Sequence, residues 1–214
     1  MSVYPLIRLL ISGALGAVSG WEVQGRERIP RKGGLIVASN HVSFWDPPMV
    51  GAACPRGDLH YLAKAELFSN PPVLGWLIAR VNAIPIRRGV ADLSGMSRAI
   101  ELLRGGGSLL MFPEGGRIKD GELHPARPGV GMLAVHADVP IVPCYISGSN
   151  RQKEWWNRKA RVRITFGPPR TWKELAGEGE ATGRVLYQRV GDGVMREIAA
   201  LRADQEKSAS RGAA

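Results

Sequence analysis

His41 and Asp46 are the residues of this chain whose types and spacing point most directly to chemistry. An imidazole held by a carboxylate is a general base with a fixed tautomer. The carboxylate takes one ring N–H, and the other nitrogen is left to accept a proton. Five residues along one helix is a rotation of about 500°, so the two would not share a helical face. They meet only if the chain turns between them. Leu35-Ile36-Val37-Ala38-Ser39 is an apolar run that reads as a buried strand, and Asp46-Pro47-Pro48 reads as a helix start. Proline is favoured in a first helical turn and aspartate just before it as N-cap. Asp46 would then be pinned by backbone N–H groups with an oxygen left for the imidazole. The alternative is that Asp46 is only a cap and His41 only a strand-end residue. The pair alone does not choose between them.

Three further segments carry site-like chemistry. Phe112-Pro113-Glu114-Gly115-Gly116-Arg117 follows the continuous apolar run at 108–111. Gly115 and Gly116 allow a tight turn or close approach of a ligand, Arg117 offers a fork that matches phosphate, and Glu114 can accept from hydroxyls or hold an arginine. Asn82 to Gly89 is a short strand ending in Arg87-Arg88, and 139–146 is a Val-, Ile- and Pro-rich strand with bends. Taken alone, a glycine turn with a solvated Glu–Arg pair and a solvated basic turn are the default readings of the first two.

The elements that must position these residues are short apolar runs separated by turn signals. Strands are expected at 21–24, 35–38, 59–62, 83–86, 108–112, 139–146 and 162–166, and helices at 72–80, 93–104, 129–137 and 184–201. Alternation of this kind predicts a single α/β domain with a mostly parallel or mixed central sheet flanked by helices. The expected organisation is an N-terminal amphipathic, membrane-associating helix at 1–20, a catalytic domain at 21–202 and a disordered tail at 203–214. The apolar stretch at 4–18 is short for a membrane span and is interrupted by Arg8. It suits a helix lying in the interface, or else an ordinary helix packed on the domain.

Composition bounds the rest. The 214 residues are 44% hydrophobic and 22% charged, which describes a globular chain. Lys and Arg number 29 against 19 Asp and Glu, a net charge of +10 that favours anionic lipid, phosphorylated ligands or nucleic acid. There is no long basic arm or zinc-finger spacing, and an anionic membrane with a phosphorylated substrate fits this charge as well as nucleic acid does. Cys54 and Cys144 lie far apart in apolar surroundings and read as buried thiols in a reducing compartment. His60, His124 and His136 lack a metal-ligand spacing, and no metal is expected. Trp155-Trp156 reads as an interfacial anchor or as an aromatic pair over the core.

His41-x4-Asp46, the arginine-ended block at 83–88, Phe112-Pro113-Glu114-Gly115-x-Arg117 and Val139-Pro140-Ile141-Val142-Pro143 follow one another in this order. Order and spacing resemble the four blocks of the 1-acylglycerol-3-phosphate (lysophosphatidate) O-acyltransferase family of glycerolipid acyltransferases, over roughly 21–166. The resemblance implies an α/β fold, transfer of an acyl group from acyl-CoA or acyl carrier protein to a lysophospholipid hydroxyl, and no metal or organic cofactor. It implies work at an anionic membrane surface, peripheral or monotopic on the cytoplasmic face. His41 would be the base, Asp46 its orienting partner, and Arg88, Glu114, Gly115, Gly116 and Arg117 the acceptor and phosphate site. Gly116 stands where the family usually has Thr, Ile118 where it often has Ser, and Asn82 and Arg87 where it often has Gly and Asp. These departures bear on the headgroup, so another lysolipid or an amino-lipid acceptor is the alternative. A basic nucleic-acid-binding module is the remote one. Ser43, near His41, is the residue that would argue for an acyl-enzyme instead of direct transfer.

Overall fold

The computed structural model describes residues 20–68, 82–86, 93–155 and 160–211, together with 9, 10, 12–14 and 17. The expected helix at 72–80, Arg87, Arg88, Trp156 and most of the expected N-terminal helix lie outside the described residues.

Leu35 and Val37 pack into one apolar cluster while Ile36 and Ala38 pack into another. That alternation places β2, Leu35–Ser39, at the centre of a sheet covered on both faces. Six further strands join it: β1 Glu22–Gln24, β3 Leu59–Lys64, β4 Ala83–Ile86, β5 Ser108–Met111, β6 Ile141–Ser147 and β7 Arg163–Phe166. The order across the sheet is β1-β7-β6-β2-β5-β3-β4. β6, β2, β5, β3 and β4 are parallel, whereas β7 pairs antiparallel with β6 and carries β1 parallel to itself. All seven expected strands are present, and the sheet is mixed.

One face is covered by α1, Asp46–Ala53, through Met49, Val50 and Ala53. The other is covered by α2 Leu93–Arg104, α3 Gly129–Ala137 and α6 Gly183–Arg211, through Leu103, Leu133, Val194 and Ile198. Short helices α4 Gln152–Trp155 and α5 Trp172–Ala176 complete the set. α3 and α6 approach closely at Gly131, where an added Cβ would fall 2.1 Å from the Tyr187 carbonyl oxygen. Among the described residues no helix is long and apolar enough to cross a membrane.

The end of α6 corrects the expected boundary. The helix continues to Arg211, so residues 203–211 are helical where a disordered tail was expected. The stretch after Leu201 holds no glycine or proline before 212 and is made of good helix formers. It is tied down by Gln205, whose amide donates to Thr165 Oγ1 at 2.8 Å and whose oxygen accepts from Ser147 Oγ. Arg202 pairs with Glu206 one turn on.

The topology puts three loops side by side. The chain leaves β5, passes through α3 and enters β6 on the far side of β2. The carboxyl ends of β5, β2 and β6 therefore adjoin where the strand order switches sides, the usual place for a ligand site in an open α/β sheet.

Candidate active site

His41 stands two residues beyond the end of β2, and the chain then turns back on itself before α1. The turn is closed by Asp46. Its Oδ2 accepts from Val42 N–H and Ser43 N–H, both at 2.7 Å, and from His41 Nδ1 at 2.8 Å. A carboxylate only accepts, so Nδ1 carries the hydrogen, and in the neutral ring Nε2 is the nitrogen with the lone pair. The Asp46 side chain is fully buried, while 11% of the His41 side chain remains exposed. The imidazole stacks on Phe112 from the end of β5, with ring centroids 4.0 Å apart and planes 20° from parallel.

Asp46 does this differently from an N-cap. It is the first residue of α1, and the next two residues are Pro47 and Pro48. Neither has an N–H to offer, so the carboxylate finds its donors in the preceding turn instead.

The β5 exit loop grips His41 from the other side. Glu114 is buried, and its two oxygens accept from His41 N–H at 2.9 Å and from His124 N–H at 3.2 Å. Burial pushes this carboxyl above the ordinary glutamate range, against the pull of the two backbone donors. Ile118 N–H donates to the His41 carbonyl at 2.7 Å, so both peptide groups of His41 are fixed by this loop. Gly115 has φ 74°, and a Cβ there would strike the Arg127 side chain at 2.4 Å, so glycine is required. Nothing lies within 4 Å of the corresponding point on Gly116, which leaves room where the family usually carries threonine.

Arg117 is exposed and lies over the Phe44 ring, 3.3 Å from its centroid. Phe44 and Trp45 are 71% and 47% exposed. Together with Ser43, Asn150 and Gln152 these residues line a cleft of about 320 Å³. A larger open hollow, of about 440 Å³, lies by Arg26, Arg31 and Pro55, beyond the opposite ends of the strands, and contains none of the site residues.

The site therefore brings together His41, Asp46, Glu114, Gly115, Gly116 and Arg117. Arg88 lies outside the described residues. The block at 139–143 runs into β6, whose buried first residues Ile141 to Pro143 lie alongside β2. Sequence reasoning missed Asn40. Its buried amide donates to the Ile146 carbonyl at 3.0 Å and accepts from Ile146 N–H at 2.8 Å, locking the exit of β2 to β6. A polar residue at the end of an apolar strand, beside the histidine, was the available signal. It also missed Asn150 and Gln152, which no motif marks. Trp155 is buried with its indole N–H on the Gly148 carbonyl, the core alternative and not the anchor. His124 pairs with Asp120 at 2.8 Å, a partner the spacing had not suggested.

The backbone N–H groups of the two turns differ in what they engage. The N–H groups of His41, Val42 and Ser43 are engaged by carboxylates, and that of Gly115 by the Phe112 carbonyl. The N–H groups of Gly116 and Arg117 carry no hydrogen bond among the described residues.

Fold and site together define an α/β protein with its imidazole, carboxylates and arginine gathered at the strand ends. A family model described as Acyltransferase matches residues 20–147, and the chain belongs to that acyltransferase family. It is 28% identical to a 1-acyl-sn-glycerol-3-phosphate acyltransferase of Bacillus subtilis, over 70% of this chain and 73% of that one. It is 37% identical to a lyso-ornithine lipid O-acyltransferase of Pseudomonas aeruginosa, over 62% of this chain and 50% of that one. The chain spans under two thirds of the length of several curated relatives. The crystal structure of the 1-acyl-sn-glycerophosphate (LPA) acyltransferase PlsC from Thermotoga maritima superposes with a TM-score of 0.70 at 28% identity, covering 94% of this chain and 80% of that one.

Proposed function

We propose that this enzyme moves a fatty acyl group from an acyl thioester, acyl-CoA or acyl carrier protein, to the free hydroxyl of lysophosphatidate. The product is phosphatidate, and the step belongs to phospholipid biosynthesis. One observation carries the reading: an imidazole with Nδ1 held by Asp46 at 2.8 Å shares its end of the sheet with a cleft lined by Arg117.

His41 Nε2 takes the proton of the acceptor hydroxyl as that oxygen attacks the thioester carbonyl. Asp46 stabilises the imidazolium that results. The tetrahedral oxyanion needs aimed donors, and the unengaged N–H groups of Gly116 and Arg117 are the candidates. The intermediate collapses with loss of the thiolate, which recovers the proton from His41. Arg117, with Arg88, holds the acceptor phosphate, and no metal or organic cofactor takes part. The enzyme works as a peripheral or monotopic protein on the cytoplasmic face of the membrane.

The test is acyl transfer over a panel of lysolipids with His41→Ala alongside. Lysophosphatidate is the expected preferred acceptor, and the variant loses about 10²–10⁴-fold in turnover. Equal turnover in the variant would remove the base, and preference for an uncharged acceptor would remove the arginine assignments. A second reading keeps the chemistry and takes an amino lipid as acceptor. The 37% identity to the lyso-ornithine lipid enzyme favours it. The same panel decides between the two. A salt-sensitive nucleic-acid mobility shift without acyl transfer would support the remote alternative.

A further inference from the structure

Ser43 faces the cleft with its hydroxyl polarity already decided. A serine hydroxyl has two lone pairs and one hydrogen. Trp45 N–H donates to Ser43 Oγ at 3.2 Å, and Gln152 Nε2 donates to it at 3.0 Å. The orientation of the Gln152 amide is fixed independently, because the same nitrogen donates to the Ser149 carbonyl at 2.8 Å. Both lone pairs of Ser43 therefore receive hydrogens, and its own hydrogen has no acceptor among the described residues. Ser43 is 4% exposed, and what it exposes lines the cleft beside Arg117. A hydroxyl in this state is a poor nucleophile, since its lone pairs are occupied and no base holds its proton. It is a good dedicated donor.

We propose that Ser43 donates its hydroxyl hydrogen to an anionic oxygen of the acceptor headgroup, and that Gln152 is the positioning residue that sets this polarity. The headgroup oxygen belongs to a phosphate in lysophosphatidate or to a carboxylate in a lyso-ornithine lipid. Either is an acceptor without hydrogens, matched to a cleft that offers the Arg117 fork and one hydroxyl hydrogen. The inference rests on the acceptor chemistry proposed above and adds a residue from the histidine turn to the headgroup site.

The test is steady-state kinetics with lysophosphatidate, lyso-ornithine lipid and an uncharged monoacylglycerol, for Ser43→Ala, Ser43→Thr, Gln152→Glu and the Ser43→Ala/Gln152→Glu double variant. Ser43→Ala is expected to raise KM for the preferred anionic acceptor by about tenfold or more, the scale of a hydrogen bond to a charged group. KM for the thioester donor and kcat stay within about twofold, which marks lost binding and not lost transition-state stabilisation. Ser43→Thr restores the acceptor KM. Gln152→Glu supplies a carboxylate that captures the Ser43 hydrogen, so it raises the acceptor KM, and adding Ser43→Ala to it causes no further loss. Additive losses would mean that the introduced carboxylate acts by repulsion alone and would overturn the role given to Gln152. The role given to Ser43 is overturned by an unchanged acceptor KM in Ser43→Ala, by a fall in kcat at constant KM, or by an equal loss on monoacylglycerol. An acyl-Ser43 adduct in mass spectrometry after donor alone would overturn it too. If the wild-type enzyme acylates neither anionic lipid, the functional reading fails and this inference fails with it. If it acylates one of them and Ser43→Ala is silent, only the inference fails.

Discussion

Asp46 shows how a neighbour decides what a residue does. Its carboxylate turns backward because Pro47 and Pro48 have no N–H, and it then meets the imidazole on the same oxygen that pins Val42 and Ser43. Oδ1 is buried with no hydrogen-bond partner. Asp46→Asn must place its NH2 group at one of these two positions. At Oδ2 it would face three donors. At Oδ1 it would bury a donor with nothing to receive it, at about 1–3 kcal/mol. In the proposed mechanism the neutral amide also gives up stabilisation of the imidazolium. Expected together are a destabilisation of that size in chemical denaturation and a fall in turnover of about 10²–10⁴-fold. Wild-type turnover in a folded Asn variant would separate Asp46 from the chemistry. The types and order of His41, Asp46 and Arg117 were legible in the sequence because they sit in short local patterns. The bond from Glu114 to the His41 backbone was not, because it joins residues 73 positions apart.

At the scale of elements, the exit loop of β5 is a second support for the histidine turn, and Glu114 is the clamp between them. Burial raises its folded-state pKa above the ordinary 4.5, so the folded protein binds that proton more tightly than the unfolded chain does. The contribution to stability is then fully present below about pH 4.5 and declines as pH rises through the folded-state value. Glu114→Gln removes the titration. The stability of the wild type relative to this variant should be greatest in acid and should shrink toward neutrality, followed by denaturant unfolding at a series of pH values. A difference that grows with pH would mean that the two backbone donors outweigh burial. Strand positions were legible because fully covered parallel strands are unbroken apolar runs, as in β2. Strand order was not, since nothing in the composition of β7 says that it runs against β6. Asn150 and Gln152 escaped notice for the same reason. They reach the site only because β6 lies next to β2, and the helix that carries Gln152 is four residues long.

The whole molecule carries a formal charge of +10, and part of its basic surface gathers where the site opens. Arg117 is exposed and lines a cleft that also presents Phe44 and Trp45, Lys119 is exposed two residues further on, and Arg151 is exposed but paired with Glu154. A basic rim around exposed aromatic side chains suits an anionic lipid surface, where each basic residue near the headgroups contributes about 1 kcal/mol and the aromatic rings settle at the interface. The two contributions differ in their response to salt. Attraction between exposed charges is screened over roughly 8 Å at physiological ionic strength and about 3 Å at 1 M, while apolar burial is not weakened by simple screening. Cosedimentation with vesicles should therefore show stronger binding to mixtures containing phosphatidylglycerol than to phosphatidylcholine alone. Added salt should remove most of that preference and leave a smaller residue. Trp45→Ala should reduce the salt-resistant part and spare the salt-sensitive part, whereas Lys119→Glu should do the reverse. Equal binding to both vesicle types at low salt would mean that the positive charge does not serve contact with an anionic surface.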